Sequence, residues 1–402
     1  MNKLIVKDVD VNGKRVLVRV DFNVPLNYKT GEITDDSRIK AALPTIDYLT
    51  DNGAKVIICS HLGRPGGEVI KKLSLAVVAK RLSQILRQKV DIASDCVGPE
   101  VEQQVATMKN GDVLLLENLR FHSEEENCDT DFTKALSQLG DVFVNDAFGT
   151  SHRSHASIVG ITHFLPAVSG LLLEKEINAL CRVLENPLHP FVVLLGGAKV
   201  SDKVSMLDNI MGKVDSIIIG GGMAATFLKA RNYDVGLSLL DNAVDVAANL
   251  IEKAENNNVK ILLPEDVLIV EKISNRAKVK NVSIKEIPGN KRIVDIGALT
   301  ISKFTKELEK CRTVFWNGPM GIYEIARFRE GTTALANIIA NLNATTIIGG
   351  GSTAEIVTEM KLNKKMTFVS TGGGASLKFI SGENLPGVDV LLDKKANIKS
   401  MS

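Results

Sequence analysis

The sequence predicts an α/β fold, with two doubly wound parallel-sheet (Rossmann-like) domains joined by a helix and hinge. Three observations predict it. Apolar runs of strand length recur along the 402 residues, with helix-patterned stretches between them. The runs are continuous in Val, Ile and Leu, as strands buried on both faces of a parallel sheet require. Several of them end in glycines that lead into a helix pattern, and open α/β sheets build ligand sites from that unit.

In the first half the runs are Arg15–Asp21, Lys55–Ser60, Val113–Asn118 and Val142–Ala147. In the second half they are Phe191–Gly197, Ser216–Gly221, Lys260–Asp266, Thr313–Gly318, Thr345–Gly351 and Thr367–Gly372. Among the helical stretches, Asn242–Glu255 puts Val244, Ala247, Ala248 and Ile251 on one stripe. Thr332–Leu342 repeats that spacing, with Thr332 placed to cap it. Leu171–Leu184 also reads as a helix, stopped by Pro187 and Pro190. The predicted layout is a first domain over 1–170, a connecting helix over 171–185 and a second domain over 186–384.

Composition excludes several classes. With 45% hydrophobic and 24% charged residues, the chain has the make-up of an ordinary globular protein. A net charge of +2 predicts no general attraction to nucleic acid or membrane. Aromatic residues make up 4%, and Trp316 is the sole tryptophan, too few for stacking single-stranded nucleic acid. Five scattered cysteines without a C-x-x-C pair predict a reducing, cytoplasmic setting and no cysteine metal site. Met1–Leu17 has no signal-peptide core, and no run of 18 apolar residues occurs.

Ligands of open α/β sheets bind at the carboxyl ends of the strands. In the first half those ends carry Asp21 and Asn23, then His61 and Arg64, then Arg120, then His152 and Arg153, with Arg38 nearby. One arginine after a strand is ordinarily a surface ion pair. Four such loops with the same bias point to bidentate recognition of carboxylate or phosphate. His61, His152 and His155 lack carboxylate or cysteine companions at ligand spacing, so no metal site is expected. No G-x-S-x-G elbow is present.

The second half is rich in glycine turns: Gly196-Gly197, Gly220-Gly221-Gly222, Gly349-Gly350-Gly351 and Gly372-Gly373-Gly374. Several such turns on one sheet predict a polyphosphate ligand, hence a nucleotide. Lys199 and Lys203, four apart, fall on one face of a predicted helix, with Lys199 the phosphate ligand and Lys203 ordinarily solvated. Asn317 and Glu324 flank a loop shaped by Gly318 and Pro319, and Glu324 is a candidate for ribose hydroxyls. Gly220-x-Gly222-x-x-Ala225 matches the dinucleotide fingerprint, with Asp241 near the spacing of its ribose acid. That match keeps a nicotinamide-dependent dehydrogenase open.

Taken in order, these segments resemble the phosphoglycerate kinase family. Arg19–Pro25, Ser60–Pro65, Glu117–Phe121 and Asn145–Arg153 are similar to its substrate motifs. Gly196–Lys203, Trp316–Gly321 and Ser370–Ser376 are similar to its nucleotide motifs. The resemblance implies reversible phosphoryl transfer between ATP and 3-phosphoglycerate, by a cytoplasmic monomer that closes its domains and returns a tail, 385–402, to the first. By carry-over, Asp21, Asn23, Arg38, His61, Leu62, Gly63, Arg64, Arg120, His152 and Arg153 hold the phosphoglycerate. Gly196, Ala198, Lys199, Lys203, Gly221, Asn317, Pro319, Glu324, Gly350, Gly351, Ser352 and Thr353 hold the nucleotide. Arg38, Lys199, Gly373 and Gly374 attend the transferring group. Mg²⁺ is expected to arrive with ATP or ADP, with no metal ligands assigned to the chain. The family places an aspartate after its triple glycine, associated with the nucleotide's magnesium, where this chain has Ser352. A hydroxyl is a poorer Mg²⁺ ligand than a carboxylate, so weaker metal–nucleotide binding or lower turnover is expected. The alternative is a ligand-binding protein of the same fold with impaired catalysis.

Overall fold

The computed structural model describes residues 2–27 and 29–394. The chain divides into two compact units. Unit 1 takes the chain as far as Asn178 and again from Asn384, and unit 2 runs Ala179–Glu383. The division falls inside the helix Leu171–Glu185, which ends two residues before Pro187. Of the expected returning segment 385–402, residues 395–402 lie outside the described residues.

Unit 1 holds a six-stranded sheet. Its strands are β1 (Arg15–Arg19), β2 (Lys55–Cys59), β3 (Val90–Ile92), β4 (Val113–Leu115), β5 (Val142–Asn145) and β6 (Ala167–Ser169), in the order β3-β4-β2-β1-β5-β6. All pairings are parallel. β2, β3 and β4 lie on one side of β1 and β5 and β6 on the other, which makes the β1/β5 pair the topological switch point. Val16, Val18, Val56, Ile58 and Val144 are buried on one face against Ile39, Ile46 and Leu82. Residues after Asn384 pack on this unit: Leu4 N–H donates to the Leu392 carbonyl and Gly387 N–H to that of Ser151.

Unit 2 holds a second parallel sheet. It consists of β7 (Phe191–Leu195), β8 (Ser216–Ile219), β9 (Lys260–Leu262), β13 (Thr313–Asn317), β14 (Thr345–Gly349) and β15 (Phe368–Val369), ordered β15-β14-β13-β7-β8-β9. Its switch point is the β13/β7 pair, in register from Thr313 opposite Phe191 to Asn317 opposite Leu195. A three-stranded antiparallel sheet, β11-β10-β12, is inserted between β9 and β13. It is built from β10 (Asp266–Val270), β11 (Lys280–Ser283) and β12 (Arg292–Ile296).

Three sequence expectations change. The single run Lys260–Asp266 is cut at Pro264, so β9 and β10 join different sheets. The helix expected to be capped by Thr332 starts earlier, spanning Glu330–Ile339. Thr332 is fully buried, and its hydroxyl accepts the Met320 N–H at 2.9 Å instead. Lys199 precedes the helical segment, which opens as a 3-10 turn at Ser201–Lys203, so the two lysines do not share a helix face.

Candidate functional site

In unit 1 the parallel strands deliver four loops to one edge. Asn23 Oδ1 accepts the Gly63 N–H at 2.9 Å, and Asn118 holds both the Leu62 N–H (3.2 Å) and its carbonyl (2.8 Å). The backbones of Leu62 and Gly63 are thus engaged within the protein, where they set the loop that carries His61 and Arg64. Arg38, at the start of the helix Ser37–Asp51, donates through Nη1 to Asp21 Oδ2. Arg120 is buried, donates to the Gly63 carbonyl at 3.0 Å and lies 3.2 Å from Glu126. Burial lowers its pKa.

His61 is 3% exposed. Burial, followed by the nearby charges of Arg19, Arg120 and Arg38, holds its pKa well below the usual value. The ring is therefore neutral at physiological pH. His155, also buried, is pushed down to about 4 by burial and then by Arg120, Arg19 and Arg153. Arg64 and Arg153 are exposed, and neither makes an ion pair among the described residues. His152 is half-buried. The unit thus gathers positive charge and neutral imidazole donors at one sheet edge, the chemistry that receives a small polyanion.

In unit 2 the turns after β7, β8 and β13 interlock. Gly196 N–H donates to the Asn317 carbonyl, Gly197 N–H to that of Pro319 and Gly221 N–H to that of Met320, each at 2.9 Å. A Cβ on Gly196 would collide with the Pro319 carbonyl, and one on Gly221 would come within 2.5 Å of the Gly197 nitrogen. Only glycine permits that approach. Asn317 is buried, Thr353 Oγ1 accepts the Gly318 N–H at 2.7 Å, and a Cβ on Gly373 would lie 3.7 Å from the Gly351 nitrogen. The last two turns therefore face each other.

Lys203 is 8% exposed and makes no ion pair among the described residues. Its ammonium lies 3.6 Å from where a Gly197 Cβ would stand, and burial lowers its pKa. Lys199 is exposed, so of the two it is Lys203, expected from the sequence to be solvated, that is buried. A cavity of about 520 Å³ adjoins these turns, lined by Gly197, Ala198, Gly221, Pro319, Glu324 and Ser352. Its size suits a nucleoside. A cavity of about 610 Å³ elsewhere in unit 2, between β10, β11 and the strand β9, carries none of the glycine turns. Asp241 accepts the Ser201 N–H at 2.8 Å and does not end β9, so the dinucleotide fingerprint lacks its ribose acid.

A family model described as phosphoglycerate kinase matches residues 6–383. The chain belongs to the phosphoglycerate kinase family. It is 51% identical to a phosphoglycerate kinase from Pelotomaculum thermopropionicum, covering 98% of this chain and 100% of that one. It is 50% identical, with the same coverage, to one from Moorella thermoacetica. Among solved structures, phosphoglycerate kinase from Coxiella burnetii matches with a TM-score of 0.85 and 40% identity, over 96% of this chain and 98% of that one.

The phosphoglycerate kinase fold places Asp21, Asn23, His61, Arg38, Arg120, His152 and Arg153 within unit 1, and the glycine turns, Lys199, Lys203, Asn317 and Glu324 within unit 2. Sequence reasoning missed Arg19, Glu125 and Ser157, which stand behind His61. The one signal was the arginine that ends the apolar strand β1. It also missed a cluster of Asp95, Cys96 and His122, whose possible ligand atoms lie within 4.8 Å of one another. There His122 Nε2 and Asp95 Oδ1 are 2.7 Å apart, an ordinary ion pair that raises the His122 pKa.

Proposed function

We propose that this chain transfers a phosphoryl group reversibly between ATP and the carboxylate of 3-phosphoglycerate, giving ADP and 1,3-bisphosphoglycerate. The observation that carries this reading is the buried Lys203. It stands beside the Gly197 turn and a nucleoside-sized cavity, and among the described residues it makes no ion pair, with only the charge of Asp202 acting on it. A buried ammonium without a partner is costly, and an anionic ligand removes that cost.

In this reading Asp21, Asn23, Arg38, His61, Arg64, Arg120, His152 and Arg153 hold 3-phosphoglycerate. Leu62 and Gly63 act by shaping the loop. Gly196, Ala198, Lys199, Lys203, Gly221, Asn317, Pro319, Glu324, Gly350, Gly351, Ser352 and Thr353 serve the nucleotide. The attacking carboxylate is already ionised at pH 7, so no general base is needed. What remains is in-line positioning and neutralisation of charge on the moving group, supplied by Arg38, Lys199 and the amides of Gly373 and Gly374. Closure of a monomer over both substrates excludes water as a competing acceptor.

Mg²⁺ enters as part of the nucleotide substrate. Ser352 is exposed at the cavity and offers a hydroxyl where the family has a carboxylate. Of the carboxylates lining that cavity, Asp295 is buried and spends its oxygens on the Ile296 and Gly331 N–H groups. Glu324, the other carboxylate there, is the ribose candidate, so in this reading the ion would be held mainly by phosphate oxygens and water. The alternative of a binding protein without turnover finds no support in the family comparison. Among the described residues no helix is long and apolar enough to cross a membrane, and we place the enzyme in the cytoplasm.

ADP release from ATP, measured with and without 3-phosphoglycerate, tests the reading. Release that depends on 3-phosphoglycerate and is lost in Lys203→Ala supports it. Release independent of the acid contradicts it.

A further inference from the structure

Arg19 is fully buried at the end of β1, where a guanidinium is costly unless compensated. Its compensation is a chain of hydrogen bonds inside unit 1. Glu125, also fully buried, accepts the Ser157 hydroxyl at 2.6 Å through Oε1 and the Ser157 N–H at 2.9 Å through Oε2. The Ser157 hydroxyl oxygen in turn accepts Arg19 Nε at 2.9 Å. Arg19 Nη1 donates to the Val20 carbonyl, and Nη2 lies 3.2 Å from His61 Nδ1.

A guanidinium has five donors and no acceptor. His61 Nδ1 must therefore present its lone pair to Arg19, and the one proton of the neutral ring sits on Nε2. No described protein group accepts from Nε2, which leaves that N–H for a ligand. The polarity is fixed from the far end: the carboxylate of Glu125 can only accept, so the serine proton points to it and the serine lone pair to Arg19.

We propose that the buried chain Glu125–Ser157–Arg19 fixes the tautomer of His61 so that Nε2–H donates to an oxygen of the anionic substrate, making Arg19, Ser157 and Glu125 positioning residues for phosphoglycerate binding. The substrate part rests on the function proposed above. The tautomer part does not. The charged groups acting on His61 are Arg19 from its own strand end, Arg120 from the loop after β4, Arg38 from the helix Ser37–Asp51, and His155. The three arginines offer Nδ1 no acceptor, and no hydrogen bond joins the neutral His155 ring to it among the described residues.

The test is ¹⁵N NMR of histidine-labelled enzyme at pH 7, first without ligand and then with 3-phosphoglycerate. The ligand-free wild type is expected to show His61 with an unprotonated Nδ1 and a protonated Nε2. In Ser157→Ala, which removes one hydroxyl and leaves both charges, Arg19 Nε loses its acceptor and the guanidinium is free to turn from Nδ1, so the protonated-Nδ1 form is expected to appear, with KM for 3-phosphoglycerate rising several-fold and kcat little changed. His61→Gln keeps a donor near the Nε2 position and is expected to retain more affinity than His61→Ala, which loses about tenfold or more. An Nδ1–H tautomer or an imidazolium in the wild type overturns the proposal. So does a tautomer unchanged in both Ser157→Ala and Arg19→Met, which leaves Nδ1 without the guanidinium donor. The expected tautomer with an Nε2 signal indifferent to 3-phosphoglycerate overturns the donation to substrate, and with it the assignment of His61 to the substrate site. Folding of each variant is checked by the unchanged remaining histidine signals.

Discussion

The hydroxyl of Thr353 accepts the Gly318 N–H at 2.7 Å and so ties the glycine turn after β14 to the turn after β13. Thr353 is fully buried, and Trp316 Nε1 donates to the carbonyl of the same glycine, Gly318, at 2.8 Å. Thr353→Val keeps the shape and orphans a buried N–H, which costs about 1–3 kcal/mol. Urea unfolding followed by fluorescence of Trp316 is expected to show that loss together with weaker ATP binding. Thr353→Ser is expected to restore both.

Lys203 is expected to separate stability from binding. Burial opposes its charge, so Lys203→Met relieves a cost in the ligand-free protein. The expected result is stability unchanged or raised by about 0.5–2 kcal/mol, with ATP affinity reduced at least tenfold. Calorimetric titration with ATP and a urea melt check the two halves. A melt that falls along with the affinity contradicts this role.

Asp146 governs part of the pH dependence of unit 1. Its Oδ1 accepts the Leu172 and Leu173 N–H groups, the Thr45 hydroxyl also acts on the carboxyl, and burial outweighs these and pushes its pKa up from 3.8 to about 6. Between those values the native state holds a proton that the unfolded state has released. Its contribution is therefore fully present below pH 3.8 and is lost as pH rises through 6. The loss is at most about 3 kcal/mol. Asp146→Asn is neutral at every pH and is expected to flatten this slope, gaining relative to wild type at pH 8. Urea midpoints at pH 5 and pH 8, followed by circular dichroism, check it.

Ser352 is exposed on the cavity beside the glycine turns, so Ser352→Asp is accommodated without repacking. The aspartate variant is expected to reach half-maximal turnover at a lower Mg²⁺ concentration than the wild type, because a carboxylate adds a hard anionic ligand. A magnesium titration of ADP production compares them. Identical curves contradict a role for this position in metal use.

Much of the fold was legible because buried parallel strands write themselves as apolar runs. Arg15–Asp21 became β1 over Arg15–Arg19, and Phe191–Gly197 became β7 over Phe191–Leu195, each shortened by the polar or glycine residues that start the loop. The antiparallel insert was not legible. β11 is Lys-Asn-Val-Ser with only Val282 buried, so it leaves no apolar run to read. β3 and β6 are three-residue edge strands with the same difficulty.

The site divides in the same way. Glycines at strand ends are local signals, and their turns were found where the sequence put them. The burial of Lys203 is tertiary, set by the turn it lies against, whereas spacing alone put both lysines on one helix face. The chain behind His61 joins Arg19 to Ser157 across 138 positions, a distance at which no periodicity speaks.

The most direct test of the account is ³¹P NMR of the purified enzyme with MgATP and 3-phosphoglycerate. The account predicts conversion of ATP to ADP with a matching acyl-phosphate resonance from 1,3-bisphosphoglycerate, and reversal when ADP is added. ATP left unchanged, or cleaved to ADP and inorganic phosphate with no acyl phosphate under conditions where that product survives, contradicts transfer to the carboxylate.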